Sequence, residues 1–464
     1  MVEAHVCPYI PNSAPEVKKA MMMDIGIRSV EELYSDVPKP LMLKRRLNLP
    51  SPNSELEVRR HVERLLAKNR TSREMPTFLG AGCWRHHVPA VVENIVQRTE
   101  LLTSYTPYQP EMSQGMLQLL FEYQSLICEL VDMEVANSSL YDWASALGEA
   151  ARMANRLTNR PEILVPRIIH PERYATLEAY VDPTEMYTQK VDYERETGQL
   201  NLDDLQARIS DKTAAVYIEN PSYLGFVETH GEEAAEIAHD HGALFIVGVD
   251  PVSLGLLRPP GSFGADIVVG EGQPLGNHMN FGGPLLGIFA CKGDLATIRQ
   301  TPGRIIGVTN TQDGKGKGFC MVLQTREQHI RRQKATSNVC TNEALCAVAS
   351  AVYLALLGRE GLRELCEAIM LKSHYAIKRL SEVEGLTTPA LKSPHFQEFT
   401  VNFKRRVDGV HESLLKLGIH GGKDVSRDFP ELEETALYCV TETHTKDDID
   451  ALADALEGIM RGGR

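Results

Sequence analysis

The feature that most restricts the fold is an alternation of short apolar runs with amphipathic segments between residues 163 and 249. Residues 163–165, 187–191, 214–218 and 244–249 read as strands. Residues 171–180, a segment beginning near Leu202 and residues 231–241 read as helices. Alternation at this spacing predicts parallel βαβ units with right-handed crossovers, hence an α/β fold with a mainly parallel sheet. Ligands on such sheets collect at the carboxyl ends of the strands. Glu219, Asn220, Asp250 and Glu271 fall at those ends. A further strand at 266–269 opens into the turn Gly-Glu-Gly-Gln-Pro-Leu-Gly at 270–276.

The flanks read differently. Residues 1–75 predict a helical arm: a Met-rich helix broken at Gly26, a helix capped reciprocally by Ser29 and Glu32, and a third near 55–69. Pro38 and Pro40 end the second of these. Met116, Leu119, Leu120, Tyr123, Leu126, Ile127 and Leu130 repeat at helical spacing and mark a buried face, with Ser113 placed to cap it. Residues 301–304 and 310–319 read as glycine-rich loops. Helices near 342–357 and 362–381, strands near 396–403 and 436–441, and a closing helix at 446–461 suggest a smaller α+β domain. The predicted organisation is an arm (1–75), a large α/β domain (76–325) and a small C-terminal domain (326–464).

Charge and composition remove several functions. With 464 residues, 43% hydrophobic and 24% charged, the chain has the make-up of an ordinary globular protein. A net charge of −13 argues against general nucleic-acid binding, which needs basic surface. No run approaches the length of apolar sequence needed to cross a membrane. The N-terminus lacks secretory and organellar import patterns, and nine scattered cysteines without a Cys-x-x-Cys pair fit reduced thiols, so a cytoplasmic protein is expected. His86 and His87 are adjacent with no third ligand near, so no metal site is expected.

Three stretches offer polar groups for a site. Residues 105–111, Tyr-Thr-Pro-Tyr-Gln-Pro-Glu, form a stiff loop that displays two phenols, an amide and a carboxylate. The helix after residues 137–142 has an N-terminus able either to cradle an anion or simply to be capped by Ser139 or Asp142. Residues 326–338, basic and then hydroxyl-rich, suit a phosphate or carboxylate, although exposed arginines are commonly just solvated.

Taken together, particular segments resemble the P-protein of the glycine cleavage system. They are Phe78-Leu-Gly-Ala-Gly, the run at 105–111, Phe121-Glu-Tyr-Gln, Val249-Asp-Pro-Val-Ser-Leu-Gly, Val269-Gly-Glu-Gly-Gln, Phe281-Gly-Gly-Pro and Lys334-Ala-Thr-Ser-Asn-Val-Cys-Thr. The match runs nearly end to end and resembles the N-terminal half of the long form, or the first subunit of the split form. The resemblance implies an aspartate-aminotransferase-like fold, that of fold-type I pyridoxal-phosphate enzymes. In such enzymes an Asp at a strand end faces the cofactor ring nitrogen and a Lys past the next strand forms the Schiff base. Here Asp250 is present, but the turn at 270–276 has no amine, and Pro274 falls about where the lysine would stand.

The resemblance therefore implies that no catalytic residue lies in this chain. A second subunit would carry the lysine and bind pyridoxal 5'-phosphate covalently, with the two subunits paired as a heterodimer and then a heterotetramer. Glycine would lose CO2, and the aminomethyl group would pass to the lipoyl group of the carrier H-protein. Tyr105, Thr106, Tyr108, Gln109 and Glu111 are expected at the substrate site, and Thr336, Ser337 and Asn338 near the cofactor across the interface. Asp250 would be a relic or a structural residue. Two rival readings are a non-catalytic scaffold and a self-sufficient enzyme using Lys190, Lys292 or Lys334.

Overall fold

Seven strands build the central sheet: β1 (Val135–Ala136), β2 (Glu162–Pro166), β3 (Tyr187–Val191), β4 (Thr213–Glu219), β5 (Leu244–Val249), β6 (Ile267–Glu271) and β7 (Gly287–Cys291). Their order is β1-β7-β6-β5-β4-β2-β3. From β6 through β3 every pairing is parallel, while β7 runs antiparallel to β6 and β1 antiparallel to β7. The structure, a computed structural model, describes residues 6–7, 9–45, 47–104, 107–279, 284–339 and 342–462. The chain divides into two compact units, Met1–Arg70 and Thr71–Arg464.

Alternation along β4 shows why the sheet is covered on both faces. Ala215 and Tyr217 join one apolar cluster with the helices Trp143–Thr158 and Pro171–Val181. Val216 and Ile218 join another with the helices Gln114–Val131 and Ala344–Ser381. Successive side chains on a strand point to opposite faces, so a strand buried on both sides is apolar at nearly every position. Gly248 on β5 is required by packing. A Cβ there would stand 2.5 Å from the Tyr217 hydroxyl and 2.6 Å from the Trp143 ring, so only glycine lets both aromatics lie on the sheet.

The two helices expected near 342–357 and 362–381 are present within Ala344–Ser381, separated by a kink at Gly358, whose φ of 59° few other residues tolerate. By length and composition this stretch is apolar enough to cross a membrane; its residues Ala347, Val348 and Ala351 are buried in the core beside the helix Gln114–Val131. A small antiparallel sheet of residues 386–387, 398–403, 435–439 and 423–424, in that spatial order, carries the helices Val407–Lys416 and Lys446–Arg461.

The expected loop at 310–319 is instead part of a hairpin, β8 (Ile305–Asn310) and β9 (Lys317–Val322). Its glycines and lysines hid the strands, and two glutamines of the helix Gln114–Val131 hold it. Gln114 donates to Phe319 O (2.8 Å) and accepts from Phe319 N–H (2.9 Å); Gln124 does the same at Ile306 (3.1 and 2.9 Å). Each amide thus acts as a substitute strand. Ser113 makes no side-chain cap to that helix.

In the first unit, the expected capping box at Ser29 is absent. Val30–Tyr34 is a short 3-10 turn without a side-chain cap, and the Glu32 carboxylate accepts from Arg28 N–H (3.0 Å) instead of closing a box with Ser29. The reciprocal box occurs at Ser54 and Glu57, which start the helix Glu55–Leu66.

Candidate functional site

The carboxyl end of β4 is closed by four side chains linked in a ring. The Trp143 indole N–H donates to the Tyr217 hydroxyl (3.1 Å), which donates to Glu219 (3.0 Å). Glu219 pairs with Arg173 at 2.5 Å, and the Arg173 guanidinium lies 3.6 Å over the Trp143 ring. All four are buried. Local sequence places them. Asp142 caps the Trp143 helix by accepting from Ser145 N–H (2.6 Å), so plain capping, not anion binding, accounts for that helix start. His170 caps the Arg173 helix through Nδ1 while its Nε2 donates to Ala81 O (3.0 Å), and burial drops its pKa to about 3, so the ring is neutral.

The turn without a lysine is locked by its own side chains. Glu271 accepts from Gln273 N–H (3.0 Å), Leu286 N–H (2.8 Å) and Trp143 N–H (3.3 Å). Burial pushes its pKa up to about 8. Gln273 accepts from Trp84 N–H and donates to Asn277 O. Asp250 accepts from Val252 N–H (3.0 Å) and from the Gln397 amide (2.7 Å), so both its oxygens have protein partners. Burial raises it to about 6. Asn280 and Phe281 lie outside the described residues.

This pocket does not fit pyridoxal phosphate. Its lining includes Trp84, Trp143, Arg173, Asp250 and Glu398 but, among the described residues, no lysine. Lys292 pairs with Asp266 (2.5 Å), Lys190 lies over the Tyr174 ring, and Lys334 is exposed on the 326–338 segment. Beside Asp250 a cavity of about 10 Å³ remains, room for no more than a water, and the Trp143–Arg173 stack forms part of its wall.

A second cluster gathers the other expected residues. Tyr105 and Thr106 lie outside the described residues, while Tyr108, Gln109 and Glu111 are exposed. Tyr108 accepts a short hydrogen bond from Arg304 and lies under its guanidinium, 4.6 Å from carbon to ring centre; His329 meets the ring edge-on. Arg304 is only 2% exposed, and its Nε and Nη1 have no hydrogen-bond partner. Among the described residues it makes no ion pair. An unpaired buried charge costs several kcal/mol. Stacking on a tyrosine, worth about 0.5–2 kcal/mol, offsets only part of that.

The backbone beneath Arg304 is held at every carbonyl. Thr301 O and Gly303 O accept from Arg326, Pro302 O from Asn137, and Arg304 O from Ser138 N–H. Arg326 O in turn accepts from Thr336 N–H, which ties the 336–338 run to the same segment. Ser337 donates to Glu149 (2.8 Å) and accepts from Val339 N–H, and Asn338 is exposed. The Tyr108 loop and the 336–338 run therefore meet through residues 301–304. Sequence reading missed Arg304, Arg173 and Glu149. The one signal for Arg304 was a lone arginine after Pro-Gly at the head of an apolar run.

This sheet, its helices and the small C-terminal sheet are those of fold-type I pyridoxal-phosphate enzymes. The fold superposes on a NifS-like protein (TM-score 0.62, 13% identity, 83% of this chain and 99% of that one). It likewise superposes on a sphingosine-1-phosphate lyase from Burkholderia pseudomallei (TM-score 0.64, 14% identity, 89% and 92%). At such identities the likeness shows the fold alone. The family described as Glycine cleavage system P-protein matches residues 8–456, and the chain belongs to that family. It is 50% identical to a probable glycine dehydrogenase (decarboxylating) subunit 1 of Staphylothermus marinus over 98% of both chains. To the protein of the same name in Pyrococcus horikoshii it is 51% identical, over 97% of this chain and 99% of that one. It also resembles a crystal structure of glycine decarboxylase (P-protein) in inhibitor-bound form (TM-score 0.87, 41% identity, 98% and 100%).

Proposed function

We propose that this chain is the lysine-free half of a two-subunit glycine decarboxylase, inactive alone. The observation that carries this reading is a chain matched end to end by proteins named subunit 1 whose own cofactor pocket is filled and lacks an amine. The second subunit holds pyridoxal phosphate on its lysine, and that cofactor supplies the electron sink that lets glycine's carboxylate depart as CO2. The aminomethyl group goes to the lipoyl arm of H-protein, and two heterodimers join as a heterotetramer.

This chain's part is to shape the mouth of the neighbour's site. Tyr108, Gln109 and Glu111 are exposed on a loop stiffened by Pro107 and Pro110, which suits them to orient glycine or the lipoyl end and to exclude water. Tyr105 and Thr106 share that loop, and Thr336, Ser337 and Asn338 line its other side in this proposal. The test is glycine–bicarbonate exchange by the chain alone, by the mixed subunits, and with lipoylated carrier. Exchange appearing only on mixing supports the reading; full exchange by the isolated chain sinks it.

The filled pocket also favours a second reading, a scaffold that only stabilises its partner. Variants in the 105–111 loop separate the two. A scaffold loses assembly before chemistry, whereas a site contributor loses exchange while the subunits remain associated.

A further inference from the structure

Arg304 stands out among the buried polar groups because, among the described residues, this buried cation has no counter-ion. The residue is 2% exposed, its Nε and Nη1 have no hydrogen-bond partner, and among the described residues its only hydrogen bond goes from Nη2 to the Tyr108 hydroxyl. Buried donors without acceptors are rare in native proteins and call for an explanation. Looseness is not that explanation. All four carbonyls of residues 301–304 accept hydrogen bonds, from Arg326, Asn137 and Ser138, so the arginine is carried on a fixed support. Two further polar atoms nearby in the chain's bonding network are also buried and unpartnered: the Ser138 hydroxyl and the side-chain oxygen of Asn342, whose amide donates to Ser138 O.

We propose that Arg304 is an anion-binding residue whose free guanidinium donors receive a small oxyanion, phosphate or carboxylate, presented from outside this chain. Arginine suits that task because its planar donors match both groups and its charge persists at any physiological pH. Resting on the reading above, the anion is either the phosphate of the partner's cofactor or the carboxylate of glycine. Arg304, and not the 336–338 hydroxyls alone, is then the residue that receives it. Tyr108 is the cover: its ring shields the guanidinium until the anion arrives, and its hydroxyl holds Nη2 so that the remaining donors keep their direction.

The test is titration of the full chain with inorganic phosphate and with acetate, followed by calorimetry and phosphorus NMR, in the native protein, R304M and R304K. The native chain should bind one or both anions saturably, and R304M should weaken binding at least about tenfold. Should R304M fail to fold, R304K decides. It keeps the charge but loses the planar donor set, and affinity should fall by at least about threefold. Binding of neither anion by the native chain, or equal binding by a folded variant, overturns the proposal.

In the mixed subunits the same variants identify the source. Loss of cofactor on gel filtration with the glycine KM unchanged points to phosphate, and a raised glycine KM with cofactor retained points to carboxylate. Native-level KM and cofactor retention in R304M or R304K overturn the anion assignment while leaving the two-subunit reading intact. Absence of exchange in the native mixture defeats that reading instead, and the phosphate and acetate titrations still decide Arg304.

Discussion

Arg173 holds its guanidinium 3.6 Å above the Trp143 ring while pairing with Glu219 at 2.5 Å, and neither charge reaches solvent. The pair is thus the strut of the filled pocket. Removing one partner leaves the other buried and uncompensated. Arg173→Met should lower unfolding free energy by about 3–5 kcal/mol, and adding Glu219→Leu should recover most of that loss. Urea unfolding of the single and double variants measures both. A single variant as stable as the native chain would mean that water reaches Glu219.

Stability should fall as pH rises from 6.5 to 8. Burial raises Glu398 to about 7 and Glu271 to about 8, above their unfolded values, so the folded state keeps protons that the unfolded chain releases. Their contribution is complete below the unfolded pKa, near 4.3, and is lost as pH rises through the folded values. Below pH 6.5 the depressed histidines His170, His395 and His411 work in the opposite sense, because there the unfolded chain binds the extra protons. Above it they are neutral in both states. Each carboxyl should contribute a slope approaching about 1 kcal/mol per pH unit. Glu271→Gln should flatten the curve between pH 7 and 8, as read from urea midpoints across that range.

The glutamine clasps predict where the hairpin opens. Gln124→Ala strips the side-chain partners from both backbone groups of Ile306, a buried residue, at a cost of about 1–3 kcal/mol. Hydrogen exchange at Ile306 N–H should accelerate while β4 and β5 stay protected. Unchanged exchange at Ile306 would show that Gln124 does not protect this amide.

Tyr108→Phe keeps the ring under Arg304 and removes the oxygen that accepts from it. A hydrogen bond to a charged group is worth about 1.5–3 kcal/mol, so exchange by the mixed subunits should drop roughly tenfold without loss of assembly. Exchange at the native rate would count against a role for this loop in the chemistry.

How much of this was legible in the sequence follows from range. The parallel strands declared themselves because burial on both faces forces unbroken apolar runs in β4 and β5, and the strand-end acids Glu219, Asp250 and Glu271 followed from topology. The hairpin at 305–322 did not, because Gln114 and Gln124, which clasp it, lie 205 and 182 residues from their partners in the chain. Ser29 and Glu32 carried a correct local pattern, but the Glu32 carboxylate bonds the Arg28 amide in place of the Ser29 one. Of the site, the missing amine was visible at once, whereas Arg304 and the Trp143–Tyr217–Glu219–Arg173 ring exist only through tertiary contacts.

Placing a lysine back in the turn should not restore a cofactor. Pro274→Lys puts an amine in the turn after β6, but the cavity beside Asp250, walled in part by Trp143 and Arg173, is about 10 Å³ and too small for a pyridine ring. The variant, incubated with pyridoxal phosphate, should show no visible absorbance band and no borohydride-trapped label. A reducible visible band would overturn the account of the pocket as filled.

The closed ring of four side chains has a further consequence, one for how it can change. Its members support one another unequally: losing Arg173 or Glu219 strands the other's buried charge, whereas losing Trp143 or Tyr217 leaves the ion pair whole. Room at this strand end is therefore opened at lower cost by a paired change at Arg173 and Glu219 than by either change alone. Such an arrangement behaves as a ratchet: a change at the ion pair is penalised unless its partner changes with it.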